Sequence, residues 1–388
     1  MPRITLAGGS GRTLLAECPG ALLQYFDTSE ACVLRLVRRE FQAAVAVHPW
    51  EDRETVILGS IGAWRACFPR ARCANVRFDE RGFPERAARH RHAPVVDADF
   101  VHFVGLWELN MQGCRAVTDA AFAHLRGIRV LDMSCCDQPT ITDAGLAHLV
   151  GIQKLSILGC RQATLTDAAF APLQGLRVLD MSSCQQLTDA AFVHFVGLWE
   201  LNMSYCRAVT DAAFVHLRGI RVLDMLHCSQ PTITDAGLAH LVGIQKLCID
   251  GCDQDTLTDA AFAPLRGLRV LNMSECPQFT DAAFMHLKGI HTLFMWNCRQ
   301  PTITDAALAH LKGIKCLVLY WCSNPFTEVG LVHLKGITRL HMQYANAVSI
   351  AAALDLGLPV TTGAWTEISV FRFSDAESGP WPVGAEWA

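Results

Sequence analysis

Between residues 104 and 345 the chain alternates two hydrophobic rhythms. In Leu106-Trp107-Glu108-Leu109-Asn110-Met111 the apolar side chains at 109 and 111 share one side with a period of two, which predicts a short strand. A polar turn follows. Ala121, Phe122 and Leu125 then fall together on one face of a predicted helical turn. Thr118 reads as its N-cap, with Asp119 favourably placed in the first turn. Gly127 ends the helix and lets the backbone turn back. The whole cassette reads L-x-x-L-x-M-x-x-C, a turn, then T-D-A-A-F-x-H-L.

The cassette recurs. Units begin at Leu106, Ile128, Ile152, Leu176, Leu198, Ile220, Ile244, Leu268, Ile290, Ile314 and Ile337, spaced 22, 24, 24, 22, 22, 24, 24, 22, 24 and 23 residues apart. The two-residue differences fall in the turn after the cysteine, where a stacked unit tolerates them. A longer duplication overlies this: residues 104–195 reappear as 196–287 with 75 of 92 positions identical. A period in the twenties means a solenoid, in which each unit buries its apolar side only against its neighbours.

Composition agrees. The 388 residues are 51% hydrophobic and 18% charged, enough for a large core. The formal net charge of −4 gives no support to nucleic-acid or anionic-membrane binding. No apolar run approaches the length of a membrane span, and residues 1–12 lack the pattern of a secretion signal, so none is expected. Ten of the 17 cysteines occupy one repeat position, from Cys114 and Cys136 to Cys298 and Cys322. Regular stacking of small apolar thiols explains them better than disulfide pairing, and points to a reducing compartment, cytoplasmic or nuclear.

These units resemble the cysteine-containing class of leucine-rich repeats over eleven successive cassettes. The resemblance implies an α/β horseshoe with a parallel concave sheet and convex short helices, preceded by a small helical segment. On this reading residues 1–12 are a tail, 13–52 a helical segment, 53–95 a linker helix and capping repeat, 96–345 the repeats, and 346–388 a C-terminal cap and tail. Residues 14–26, 31–47 and 51–68 read as three short helices, residues 72–78 and 96–103 as a capping repeat, and residues 374–388 as a mobile tail.

Cys18-Pro19, Leu22-Leu23, Phe26, Leu36-Val37-Arg38-Arg39, Phe41 and Trp50 resemble an F-box, with cysteine replacing the usual leucine before Pro19 and Phe41 replacing tryptophan. The resemblance implies docking onto the adaptor of a cullin–RING (SCF-type) ubiquitin ligase through Pro19, Leu22, Leu23, Phe26, Leu36, Val37 and Phe41, with the repeats holding a protein substrate. The alternative reading of the same residues is a helical cap on the first repeat. The chain would then be a scaffold or effector with no ubiquitin link.

The two 92-residue copies differ at 17 positions. Eight are Gln112/Ser204, Gly113/Tyr205, Ser134/Leu226, Cys135/His227, Ser156/Cys248, Leu158/Asp250, Asp180/Asn272 and Ser183/Glu275. These should point out from the strands or sit just past their ends. Relaxed drift at solvent positions is a strong competing explanation, but the exposed helix positions changed less, which favours a surface adapted for binding. Later units place Phe294, Trp296, Tyr320 and Trp321 at the same outward positions, with His341 and Tyr344 one unit on. Exposed aromatics are candidate hot spots, unless the C-terminal cap covers them. The predicted partner-binding residues are therefore Tyr205, Leu226, His227, Asp250, Phe294, Trp296, Tyr320 and Trp321.

Nine histidines recur at one helix position, among them His102, His124 and His148, and read as half-exposed packing. Metal binding would need converging ligands, and no C-x-x-C pair exists. No phosphate-binding glycine loop, H-E-x-x-H or G-x-S-x-G occurs. An active site needs unlike residues at unique positions, whereas these are copied. We expect no catalysis, no cofactor or metal, and a monomer.

Overall fold

The computed structural model describes residues 39–48, 55–57, 60–76, 94–324 and 326–362. The chain divides into two compact units, residues 1–179 and 180–388. In the first, β1 (Thr55–Val56), β2 (Cys73–Asn75), β3 (Glu108–Asn110), β4 (Val130–Asp132) and β5 (Lys154–Ser156) pair in chain order, every pair parallel. β6 (Val178–Asp180) falls on the division of the sequence. In the second, β7 (Glu200–Asn202), β8 (Val222–Asp224), β9 (Lys246–Cys248), β10 (Val270–Asn272), β11 (Thr292–Trp296), β12 (Cys316–Tyr320), β13 (Arg339–His341) and β14 (Val360–Thr361) do the same. Identical positions face one another: Leu201 sits opposite Leu223, and Leu271 opposite Leu293. Parallel neighbours joined by one short helix per strand make a leucine-rich repeat solenoid.

Alternation along each strand sets what is inside. Leu109, Met111 and Cys114 are buried, and so are Ala121, Phe122 and Leu125 of the helix that follows. The helices are single turns, such as Asp119–Phe122, and several are 3-10 throughout, such as Asp167–Phe170. In each repeat helix from Asp119–Phe122 to Glu328–Leu331 the preceding threonine accepts from the N–H two residues on, as Thr118 does from Ala120 at 3.2 Å. The N-capping role read from the sequence is the observed one.

The aspartate after that threonine does more than complement a helix end. Asp119 accepts the Thr142 backbone N–H at 2.8 Å with one oxygen and the Thr142 hydroxyl at 2.6 Å with the other. The same pair of bonds joins Asp211 to Thr234 and Asp281 to Thr304. Each threonine hydroxyl thus donates to the preceding repeat and accepts from its own helix. Charge-assisted bonds of this kind are among the stronger ones available.

Two more rows tie repeats together. The Cys228 thiol donates to the Met203 carbonyl of the repeat before it at 3.2 Å, and Cys252 does so to Met225 at 3.1 Å. The position therefore suits a small apolar group carrying one weak donor. Burial pushes these thiols up, to about 12 for Cys136 and for Cys206. Two residues further on, amides such as Gln230 donate to the carbonyls of Cys206 at 3.0 Å and Val209 at 2.8 Å. That row satisfies turn carbonyls of the preceding repeat.

Residues 51–68 are not one helix. Thr55–Val56 pairs with β2, and the helix is only Ile61–Cys67, because the Ser60 hydroxyl caps it by accepting from Ala63 at 3.3 Å. The β-branched run ending at Ile57 favours the strand. At the other end, helix Ala347–Asp355 and β14 continue the stack by one further layer. Residues 374–388 lie outside the described residues.

Candidate functional site

Side chains between the buried leucines and methionines point to the open face of the sheet, away from the helices. Strands with aspartate or asparagine at their third residue end the same way there, among them β3, β4, β7, β8 and β10. In β8 the Asp224 carboxylate accepts the N–H of Leu226 at 3.0 Å, bending the chain out of the strand. The residue just before the column cysteine then takes a left-handed conformation. It is glycine at 113, 159 and 251, but Cys135, Ser183, Tyr205, His227, Glu275, Asn297, Trp321 and Tyr344 adopt it as well, with φ between 52° and 62°. Its N–H still reaches the next repeat, as Tyr205 does to the Leu226 carbonyl at 2.9 Å. The bend turns the cysteine into the core and projects the preceding side chain from the rim. Outside glycine, this conformation costs about 1–2 kcal/mol per residue.

All eight predicted partner-binding residues lie in the second unit, and they form two groups. In the first, the Tyr205 ring lies 5.0 Å from His227, centroid to centroid. Leu226 and Asp250 follow, each two residues past its strand, β8 and β9, and both are part-exposed. The second group sits on β11 and β12, which pair over five residues each: Thr292 faces Cys316, Phe294 faces Val318, and Trp296 faces Tyr320. Trp296 meets Tyr320 edge-on at 6.1 Å, Tyr320 lies parallel to Trp321 at 6.1 Å, and Tyr344 stands edge-on to both at 5.7 and 5.8 Å. Trp296 is 40% exposed, Trp321 44% and Tyr344 67%. The described part of the C-terminal cap continues the sheet beside β13.

Charge is unevenly spread near these rings. Asp224 is buried, and burial pushes its carboxyl up to about 6, although Leu226 N–H and the Ser204 hydroxyl (3.1 Å) both donate to it. Asp250 is raised as well, first by burial and then by the Glu275 carboxylate, while the Asn272 amide donates to it at 3.3 Å. Arg299 holds its guanidinium 5.8 Å from the Trp321 ring. Among the described residues no group of histidine, cysteine and carboxylate side chains is arranged to hold a metal, and no helix is long and apolar enough to cross a membrane.

The adaptor-docking residues Pro19, Leu22, Leu23, Phe26, Leu36 and Val37 lie outside the described residues. Phe41 lies within helix Arg39–Val47. The sequence missed the left-handed rim position that presents Tyr205, His227, Trp321 and Tyr344. The recurrence of glycine at 113, 159 and 251 in that column was the available signal.

No protein-family model matches the chain, and no curated protein matches it. Among solved structures it is similar to one of the Toll–Spatzle complex of Drosophila, with a TM-score of 0.49 and 12% identity, over 66% of this chain and 36% of that one. It is also similar to one of the mouse RP105/MD-1 complex, with a TM-score of 0.49 and 15% identity, over 80% of this chain and 63% of that one. The chain thus spans less than two thirds of either. The leucine-rich repeat assignment rests on this chain's own strand register and repeat geometry.

Proposed function

We propose that this chain is a protein-binding solenoid that grips a partner polypeptide on the open sheet face at β11 to β13. One observation carries the reading: Trp296, Tyr320, Trp321 and Tyr344 gather on adjacent repeats with their faces and edges in solvent. Several earlier repeats carry small or polar residues in these rows, such as Ser134, Ser182, Gly159 and Ser183, so the fold does not need the rings. Large rigid aromatics of this kind dominate interface energetics when a partner buries them. Binding of this sort makes no covalent bond, in keeping with the absence of catalytic motifs.

The test is affinity purification of the full chain against a Tyr320→Ala, Trp321→Ala double variant of equal thermal stability. A partner held by the wild type and lost from the variant supports the reading. Equal recovery of every partner refutes it.

The finer reading is that the chain is the substrate-recognition subunit of a cullin–RING ubiquitin ligase. It is supported by the F-box-like run from Pro19 to Trp50, which includes the helix Arg39–Val47. Its test is adaptor binding by a Leu36→Asp, Val37→Asp variant: retention of the adaptor ends that reading and leaves the binding surface untouched. If the segment is only a cap, deleting residues 1–52 aggregates the remainder.

A further inference from the structure

We propose that the segment held by the aromatic rings is basic: a lysine or arginine beside its apolar anchor docks against Asp250 and Glu275. This rests on the protein-binding reading of the same face and adds the chemistry of the partner.

Glu275 borders the rings directly, and Asp250 stands one repeat further back. Glu275 donates its backbone N–H to the Trp296 carbonyl at 2.9 Å, and its side chain accepts from the Asn297 amide at 3.4 Å. The Trp296 N–H in turn donates to the Ser274 hydroxyl at 2.9 Å. Asp250 lies one repeat before Glu275, close enough for the two negative charges to oppose one another. Among the described residues, neither carboxylate lies within ion-pair distance of a lysine or arginine. The facing groups that temper them are His227, beside Asp250, and the amides of Asn272 and Asn297. The neighbouring arginine, Arg299, is directed to the ring of Trp321 instead.

A partner seated on Trp296 and Tyr320 would exclude water from this edge. Removing water from two like charges with no counter-ion is unfavourable, and an incoming cation reverses the sign of the effect. An acidic or phosphorylated segment would bring like charge onto the same edge. A guanidinium could also lie against a ring face while pairing with a carboxylate. Strands about 4.8 Å apart put Asp250 about 10 Å from Trp296 along the stack. In an extended segment, at about 3.3 Å per residue, that separates the basic residue from the anchor by about three positions.

A phage library of random dodecapeptides selected on the full chain tests this. The expected result is peptides with an aromatic or aliphatic anchor and lysine or arginine two to four positions away. In fluorescence polarisation with the strongest selected peptide, Asp250→Lys with Glu275→Lys should weaken binding by roughly tenfold or more. The milder pair Asp250→Asn with Glu275→Gln, of unchanged thermal stability, should weaken it less. Selection of anchored peptides with no basic preference, or with acidic residues, overturns this inference and leaves the binding reading standing. A library that gives no peptide dependent on Tyr320 and Trp321 overturns both.

Discussion

Replacing Asp224 by asparagine should stabilise the protein near neutral pH. The carboxylate is buried on the open face, and burial raises its pKa from 3.8 to about 6. Between those values the folded state holds a proton that the unfolded chain releases. Folded stability from this group is therefore present below about pH 4, falls as pH rises through the window, and stays low above about pH 6. About two pH units at 1.36 kcal/mol each make the cost of the buried charge roughly 3 kcal/mol at neutral pH. Asparagine keeps the useful bonds, since both the Leu226 N–H and the Ser204 hydroxyl donate to one oxygen, Oδ1. Neighbouring repeats show that the amide fits: Asn202 accepts the Ser204 N–H at 3.0 Å, and Asn272 accepts that of Ser274 at 3.1 Å. Urea unfolding of the two proteins at about pH 7.5 and about pH 4 measures the effect, because the difference between them cancels the other titrating groups. The variant should be more stable by roughly 3 kcal/mol at the higher pH, with the gap closing on acidification. Equal stability at about pH 7.5, or a gap independent of pH, would refute the reasoning.

Three further outcomes follow from the repeat geometry. Asp211→Ala removes both bonds to Thr234 and should cost about 2 kcal/mol, with faster amide exchange over residues 234–238; unchanged protection there would discredit the clamp. Ser183→Gly relieves a left-handed serine at φ 62° and should raise stability by about 1 kcal/mol in urea, whereas a loss would show that the rim is not strained. In the folded protein an aromatic disulfide reagent should label half-exposed Cys135 and leave buried Cys206 and Cys228 intact until urea unfolds the chain. Prompt labelling of Cys206, mapped by mass spectrometry, would contradict the buried thiol row.

Much of the molecule could be read from one unit. Leu109, Met111 and Phe122 are inside because strand and helix periods place them there, and Thr118 caps because its side chain serves its own helix. The second role of Asp119 was hidden: its partner, Thr142, is 23 residues away and belongs to a different unit. The Gln230 amide is alike, since it serves carbonyls of the repeat before. In the same way, residues 51–68 looked helical by composition, but a parallel partner in β2 made Thr55–Val56 a strand.

The sequence by itself determined the repeat, its inward rows and the set of outward side chains, because these follow from periods within a single cassette. Only the tertiary structure decided which outward residues meet. Stacking brings Trp296 against Tyr320 and Glu275 against Asn297, although 24 and 22 residues separate the pairs along the chain. Register between repeats is set by the shared core and the bonds that cross it, and so it lies beyond the pattern of any one unit.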